Sequence, residues 1–189
     1  MPINVIREEL NGLKLLEPVI YKDARGHFLE SYNKRDFAEI GIDAEFVQDN
    51  QSLSTFGTIR GMHFQHNKAQ GKLLRVTLGR AIFRGVDIRI DSEFFGQYRE
   101  FELSAENNRL LWMPPGFANG FSAESEVTVI HYKCTEYWNA ASEITLLYND
   151  TDVNIDWKTE DWKIGDPIMS DKDKSGISLR QWQEMQIHL

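Results

Sequence analysis

The stretch Gly57–Lys72, GTIRGMHFQHNKAQGK, holds one arginine, two histidines and two lysines in sixteen residues. An imidazole among cations can take a proton, help hold an anion, or ligate a metal. The metal reading is short of ligands. The position two after His63 is Gln65, and His63 and His66, three apart, cannot share a face of one strand. His27, His131 and His188 add no further pair at metal spacing. Proton transfer and anion binding are left, beside the plainer readings of a hydrogen-bonded core histidine and a solvated basic patch. In GKLLRVTLG, alternation puts Lys72 on the face of Leu74, Val76 and Leu78. Such a lysine either snorkels out at the strand end or faces a pocket. Strict alternation gives His63 the face of Ile59 and Gln65, with Arg60 on the other. Arg60 and His63 reach one cavity only if Gly61 makes a bulge or bend.

The elements that must position these groups are mostly strands. GHFLESY, AEFVQDNQSLS, GTIRGMHFQ, GKLLRVTLG, RAIFRGVDIRI, YREFELSA, RLLWMPP, GFSAE, VTVIHYKCTEY and EITLLYND follow one another at short spacing. Their β-branched and aromatic residues, punctuated by Gly, Asn and Asp, are strand signals. LKLLEPVIY contains Pro18 and reads as an edge or bent strand. Phe28, Glu30 and Tyr32 alternate against Leu29 and Ser31. Two segments read as helices: Asn33–Gly41, and SLRQWQEM, where Leu179, Trp182 and Met185 recur three apart. Many short strands in 189 residues predict an all-β sandwich or jelly roll, taken as a single domain over 1–189.

A net charge of −8 argues against a nucleic-acid partner, which wants a basic face. It leaves room for a local basic pocket holding a small anion. The single cysteine, Cys134, permits no disulfide framework and no cysteine-based zinc site. The N-terminus carries charges where a signal peptide needs its apolar run. No stretch approaches the roughly 18 apolar residues of a membrane span. A soluble cytoplasmic protein is expected.

GTIRGMHFQ, QGKLLRV, VDIR, FG, PPGFANGF, HYKCTEYW, EITLLYND, IDW and SDKD run in order across nearly the whole chain. As an ordered set they resemble the dTDP-4-dehydrorhamnose 3,5-epimerase family, the RmlC-like cupins. The resemblance implies a cupin-type jelly-roll barrel with a few short helices, a homodimer exchanging N-terminal strands, and no cofactor or metal. It implies inversion of C3 and/or C5 in a nucleotide-diphosphate 4-keto sugar, a deoxyhexose or heptose, through an enolate. By the same resemblance His63 is the base, Asp173 the carboxylate that orients it, Lys72 the cation at the keto oxygen and Tyr132 the proton donor. Unaided, Tyr132 reads as a core or rim residue and Asp173 as part of a polar tail. Arg25, Glu30, Gln48, Asn50, Arg60, Asn119, Trp138 and Glu143 match substrate-binding positions. Trp138 stands where the family usually has a stacking tyrosine.

The chain departs from the pattern twice. ANGF replaces the usual AHGF, so Asn119 stands for a histidine. Aligning on VDIR puts Phe83 at a usual aspartate, with Arg84 and Gly85 beside it. Asparagine can donate a hydrogen bond to a substrate hydroxyl or phosphate but cannot carry a proton. A remodelled pocket with altered substrate choice is expected. A sugar-nucleotide 3,4-ketoisomerase, a non-catalytic sugar-nucleotide-binding cupin and a metal-dependent cupin oxygenase are the alternatives.

Overall fold

A computed structural model describes residues 3–187, so His188 lies outside them. The chain opens with β1 (Ile3–Glu9), β2 (Leu13–Pro18), β3 (Ile20–Asp23), β4 (Gly26–Leu29) and the helix α1 (Lys34–Glu39). The barrel strands follow: β5 (Gln48–Thr55), β6 (Ile59–Gln65), β7 (Lys72–Leu78), β8 (Arg80–Asp87), β9 (Tyr98–Ser104), β10 (Leu110–Met113), β11 (Phe117–Ala123), β12 (Val127–Cys134) and β13 (Glu143–Thr145). Two helices, α2 (Asp171–Lys174) and α3 (Leu179–Ile187), come last. One sheet runs β1-β2-β10-β7-β12-β5, the other β13-β6-β11-β8-β9. This is the expected all-β jelly roll.

Period-two alternation sends Leu74 and Val76 of β7, Phe83 of β8, Phe101 and Leu103 of β9 and Ile130 of β12 into the space between the sheets. A second cluster covers the outside of the smaller sheet. There Met62, Phe64 and Val86 meet Trp157, Trp162 and Trp182 from the C-terminal segments. Trp182 lies 3.0 Å through its Nε1 donor from the carbonyl of Ile88, which ties α3 down. Outside the larger sheet, α1 covers Leu16, Leu73 and Leu110. Six residues make a marginal helix by themselves. Asn33 caps it by accepting from Arg35 N and Asp36 N, worth about 1 kcal/mol. Buried Phe37 adds about 2 kcal/mol.

One local alternative is decided and three local expectations need correction. LKLLEPVIY is bent rather than an edge: β2 lies between β1 and β10, and β3 leaves to form a separate hairpin with β4. GHFLESY is strand only to Leu29; Phe28 is 61% exposed, whereas Tyr32 packs on Phe37 and Phe46. Leu78 leaves the inner face because the register slips where Val129 and Ile130 pair with Leu78 and Val76. Met185, expected beside Leu179 and Trp182, is exposed while those two are buried.

Candidate active site

Strand β6 decides the geometry. It pairs His63 with Asn119 but Arg60 with Phe121, so β6 spends three steps where β11 spends two. The extra residue is a bulge around Gly61, which has φ +118. A side chain there would collide with backbone, since a Cβ would lie 2.5 Å from Gly120 Cα and 2.7 Å from Asn119 O. The bulge turns Ile59 to the outer cluster and sets Arg60 and His63 around one inner cavity. The shared face expected for His63 and Ile59 is therefore wrong, and the bend expected at Gly61 is present.

SDKD, read as a polar tail, folds instead as α2. Ser170 caps it, accepting from Asp173 N at 3.2 Å. The turn swings Asp173 onto β6, 4% exposed, with Oδ1 2.5 Å from His63 Nε2. Ser170 Oγ donates to its other oxygen at 2.8 Å. Burial alone would raise the Asp173 pKa, but the bond to His63, with help from Ser170 and the Gly61 N–H, leaves it below the ordinary carboxylate value. His63 Nδ1 has no protein partner among the described residues.

Three adjoining pockets meet at His63. The innermost, about 190 Å³, adds Arg60, Lys72, Asn119, Phe121 and Tyr132. The second, about 440 Å³, adds Gln48, Asn50, Trp138 and Glu143 to Lys72 and Tyr132. The third, about 550 Å³, runs past Arg60 to Lys172 and Asp173. Lys72 keeps some surface in the cavity although protein surrounds it. Desolvation lowers its pKa, with Cys134 and Glu143 working the other way. Desolvation raises that of Tyr132. Among the described residues no three His, Cys, Asp or Glu side chains are placed to hold a metal ion.

The polar wall is a connected chain. Gln48 Nε2 donates to Asn50 Oδ1 at 3.0 Å, and Gln48 Oε1 accepts from Trp138 N at 2.9 Å. Trp138 Nε1 donates to Glu143 Oε2 at 3.0 Å. Arg60 is anchored on Ser54 Oγ at 3.0 Å and the Leu53 carbonyl at 3.1 Å. Asn119 Nδ2 donates to the His63 carbonyl at 2.7 Å. One of its two amide hydrogens is thus turned to the backbone rather than to the cavity. Arg25 and Glu30 are not brought to this place. Arg25 sits at the tip of the β3–β4 hairpin, paired with Asp23 at 2.6 Å, and Glu30 directly follows that hairpin. Three neighbours escaped the sequence reading. Lys172 lies beside Asp173 and reaches Glu143 Oε2 at 2.5 Å. Gln70 and Cys134 line the second pocket. Cys134 shares the face of Tyr132 two residues on, a signal that alternation does carry.

A held imidazole with one free nitrogen, an ammonium and a phenol around one cavity can move a proton on and off a carbon beside a carbonyl. Fold and site together define a cupin-type jelly-roll barrel of the isomerase class. The family model described as dTDP-4-dehydrorhamnose 3,5-epimerase matches residues 7–181. The chain belongs to the dTDP-4-dehydrorhamnose 3,5-epimerase family. It is 45% identical over 163 residues to the dTDP-4-dehydrorhamnose 3,5-epimerase of Pseudomonas aeruginosa, covering 86% of this chain and 88% of that one. The crystal structure of the Bacillus anthracis enzyme of that name, with TDP and PPi bound, superposes with a TM-score of 0.88 at 43% identity, over 93% of this chain and 99% of that one. The dTDP-6-deoxy-D-glucose-3,5-epimerase of Legionella pneumophila, in complex with dTDP-4-keto-L-rhamnose, gives 0.87 at 40% identity, over 94% and 93%.

Proposed function

We propose that this chain is an epimerase of a dTDP-linked 4-keto-6-deoxyhexose, inverting C3, C5 or both through an enolate in deoxysugar and surface-polysaccharide biosynthesis. The observation that carries the reading is the His63–Asp173 pair, with Lys72 and Tyr132 around the same cavity. The ligands in the two related crystal structures support a dTDP-linked substrate.

Asp173 accepts from His63 Nε2–H, which leaves the Nδ1 lone pair as the base. Nδ1 takes the hydrogen from the carbon next to the ketone. The electron pair of that C–H bond moves into the ring and onto the keto oxygen, where the Lys72 ammonium stabilises the enolate. Tyr132 O–H protonates the same carbon from the opposite face as the carbonyl re-forms. Solvent then returns a proton to the phenolate and removes one from the imidazolium. Arg60 suits the diphosphate, because its planar fork matches phosphate oxygens. Gln48, Asn50 and Glu143 line the path toward the nucleotide, and Trp138 offers a stacking face.

Arg25 and Glu30 reach a substrate only in an assembly. A homodimer is part of this proposal. Its support is the projecting β3–β4 hairpin with exposed Tyr21 and Phe28, together with the exposed Leu53 and Leu78 on the larger sheet. Sedimentation velocity measures it, and a monomer at working concentration counts against it. A cytoplasmic location fits a chain with one cysteine, and no helix among the described residues is long and apolar enough to cross a membrane. The test of the chemistry is NMR of dTDP-4-keto-6-deoxyglucose in deuterated water. Deuterium should enter at C3, C5 or both, and H63N should abolish entry while the nucleotide sugar still binds. No exchange at either carbon with wild-type protein defeats the reading.

A further inference from the structure

The innermost pocket is rich in donors. Arg60, Lys72, Tyr132 and Ser52 all line it, and each has hydrogen to give. Asn119 adds an acceptor. One of its two Nδ2 hydrogens goes to the His63 carbonyl at 2.7 Å. A carbonyl oxygen only accepts, so this bond fixes which end of the amide is which. Oδ1 is left with no protein donor among the described residues.

The neighbouring strand cannot supply one. On β8 the residue opposite Asn119 is Gly85, which has no side chain. The next residue on that face is Phe83, packed on Phe121 with ring centroids 5.4 Å apart. Asn119 thus presents an uncharged acceptor against an apolar wall. A keto or phosphate oxygen, itself an acceptor, is repelled by Oδ1. A sugar hydroxyl is the part of a 4-keto sugar that can satisfy it.

We propose that Asn119 is a specificity-determining residue whose Oδ1 accepts a hydrogen bond from a ring hydroxyl of the hexose, selecting 4-keto sugars that keep their hydroxyls over 2-deoxy or 3-deoxy analogues. This rests on the epimerase reading above. An analogue lacking the hydroxyl leaves the acceptor unpaired in a desolvated site, which corresponds to roughly 10–100-fold in kcat/KM.

The experiment follows deuterium entry at C3 and C5, the carbons that flank the ketone in all three substrates, with dTDP-4-keto-6-deoxyglucose and its 2-deoxy and 3-deoxy analogues. Wild-type protein should handle one analogue about 10–100-fold less well than the parent sugar. N119A should bring that ratio to within about threefold, mainly by slowing the parent sugar. Should N119A fail to fold, N119L has nearly the shape of asparagine, lacks polar atoms and should behave alike. Equal rates on all three sugars with wild-type protein overturn the proposal, as does a preference that survives in the variant. Absence of exchange at both C3 and C5 of the parent sugar instead defeats the epimerase reading itself.

Discussion

Burial pushes the Tyr132 phenol up and the Lys72 ammonium down from their ordinary pKa values. The phenol therefore holds its proton across the working range, as a proton donor must. Removing it separates two steps that usually occur together. In Y132F, His63 still takes the hydrogen and exchanges it with solvent, but returns it to the face it came from. Deuterium should enter the substrate while inverted product falls by about 10²–10³-fold. Loss of exchange together with inversion would sink the assignment of separate base and acid. In the proposed mechanism Lys72 sets the alkaline side. The enolate needs the ammonium form, so turnover should fall as pH rises through a value below the ordinary 10.5. Arginine does not lose its proton in this range. K72R should therefore be slower, by about 10–100-fold, with no alkaline limb up to about pH 10. A kcat-against-pH profile of both proteins checks it, and an unchanged limb in K72R would move the assignment away from Lys72.

The element on which the site turns is the bulge of β6. Gly61 has a positive φ, and a Cβ there meets backbone rather than a side chain that could move aside. G61A should lose about 2–4 kcal/mol of unfolding free energy. The fraction that folds should lose exchange as well, because the backbone shift forced by the Cβ displaces the residue-61 N–H that helps hold Asp173. Urea unfolding and the deuterium assay measure the two losses, and a G61A protein as stable as wild type would mean the strand can relax. This element also marks how far the sequence could be read. Alternation put Lys72 on the face of Leu74 and Val76 without saying whether its ammonium stays in the cavity, and a glycine between Arg60 and His63 signalled the bend. Alternation through the bulge put Ile59 on the wrong face, because one extra residue inverts everything before it. The contact of Asp173 with His63 spans 110 residues and leaves no local pattern; only the family resemblance suggested it. Arg25 sits on a hairpin, and nothing in the residues of that hairpin says which cavity it serves.

At the scale of the whole molecule, buried carboxylates tie function to acid stability. Asp173 joins α2 to β6. Asp87, fully buried, binds Arg89 Nη2 at 2.6 Å and Ser92 Oγ at 2.6 Å, and Arg89 reaches on to the Leu10 carbonyl at 2.7 Å. In both carboxylates burial alone would raise the pKa, and their hydrogen bonds more than offset it, so each lies below the ordinary value of 3.8. The sign follows from proton counting. With the folded pKa depressed, the unfolded chain binds more protons near pH 4, so stability falls as pH falls. The contribution is complete above the ordinary carboxylate pKa and is lost as pH drops through the folded values. D173N should therefore be less stable than wild type at pH 7, yet lose less on going from pH 6 to pH 3, because one of the protonating groups is gone. D87N should flatten the same curve without removing the partner of His63. Urea unfolding at half-unit pH steps measures all three proteins. If D173N and wild type lose stability in parallel down to pH 3, Asp173 is not one of the carboxylates that hold the barrel together in acid, and its bond to His63 serves the imidazole alone.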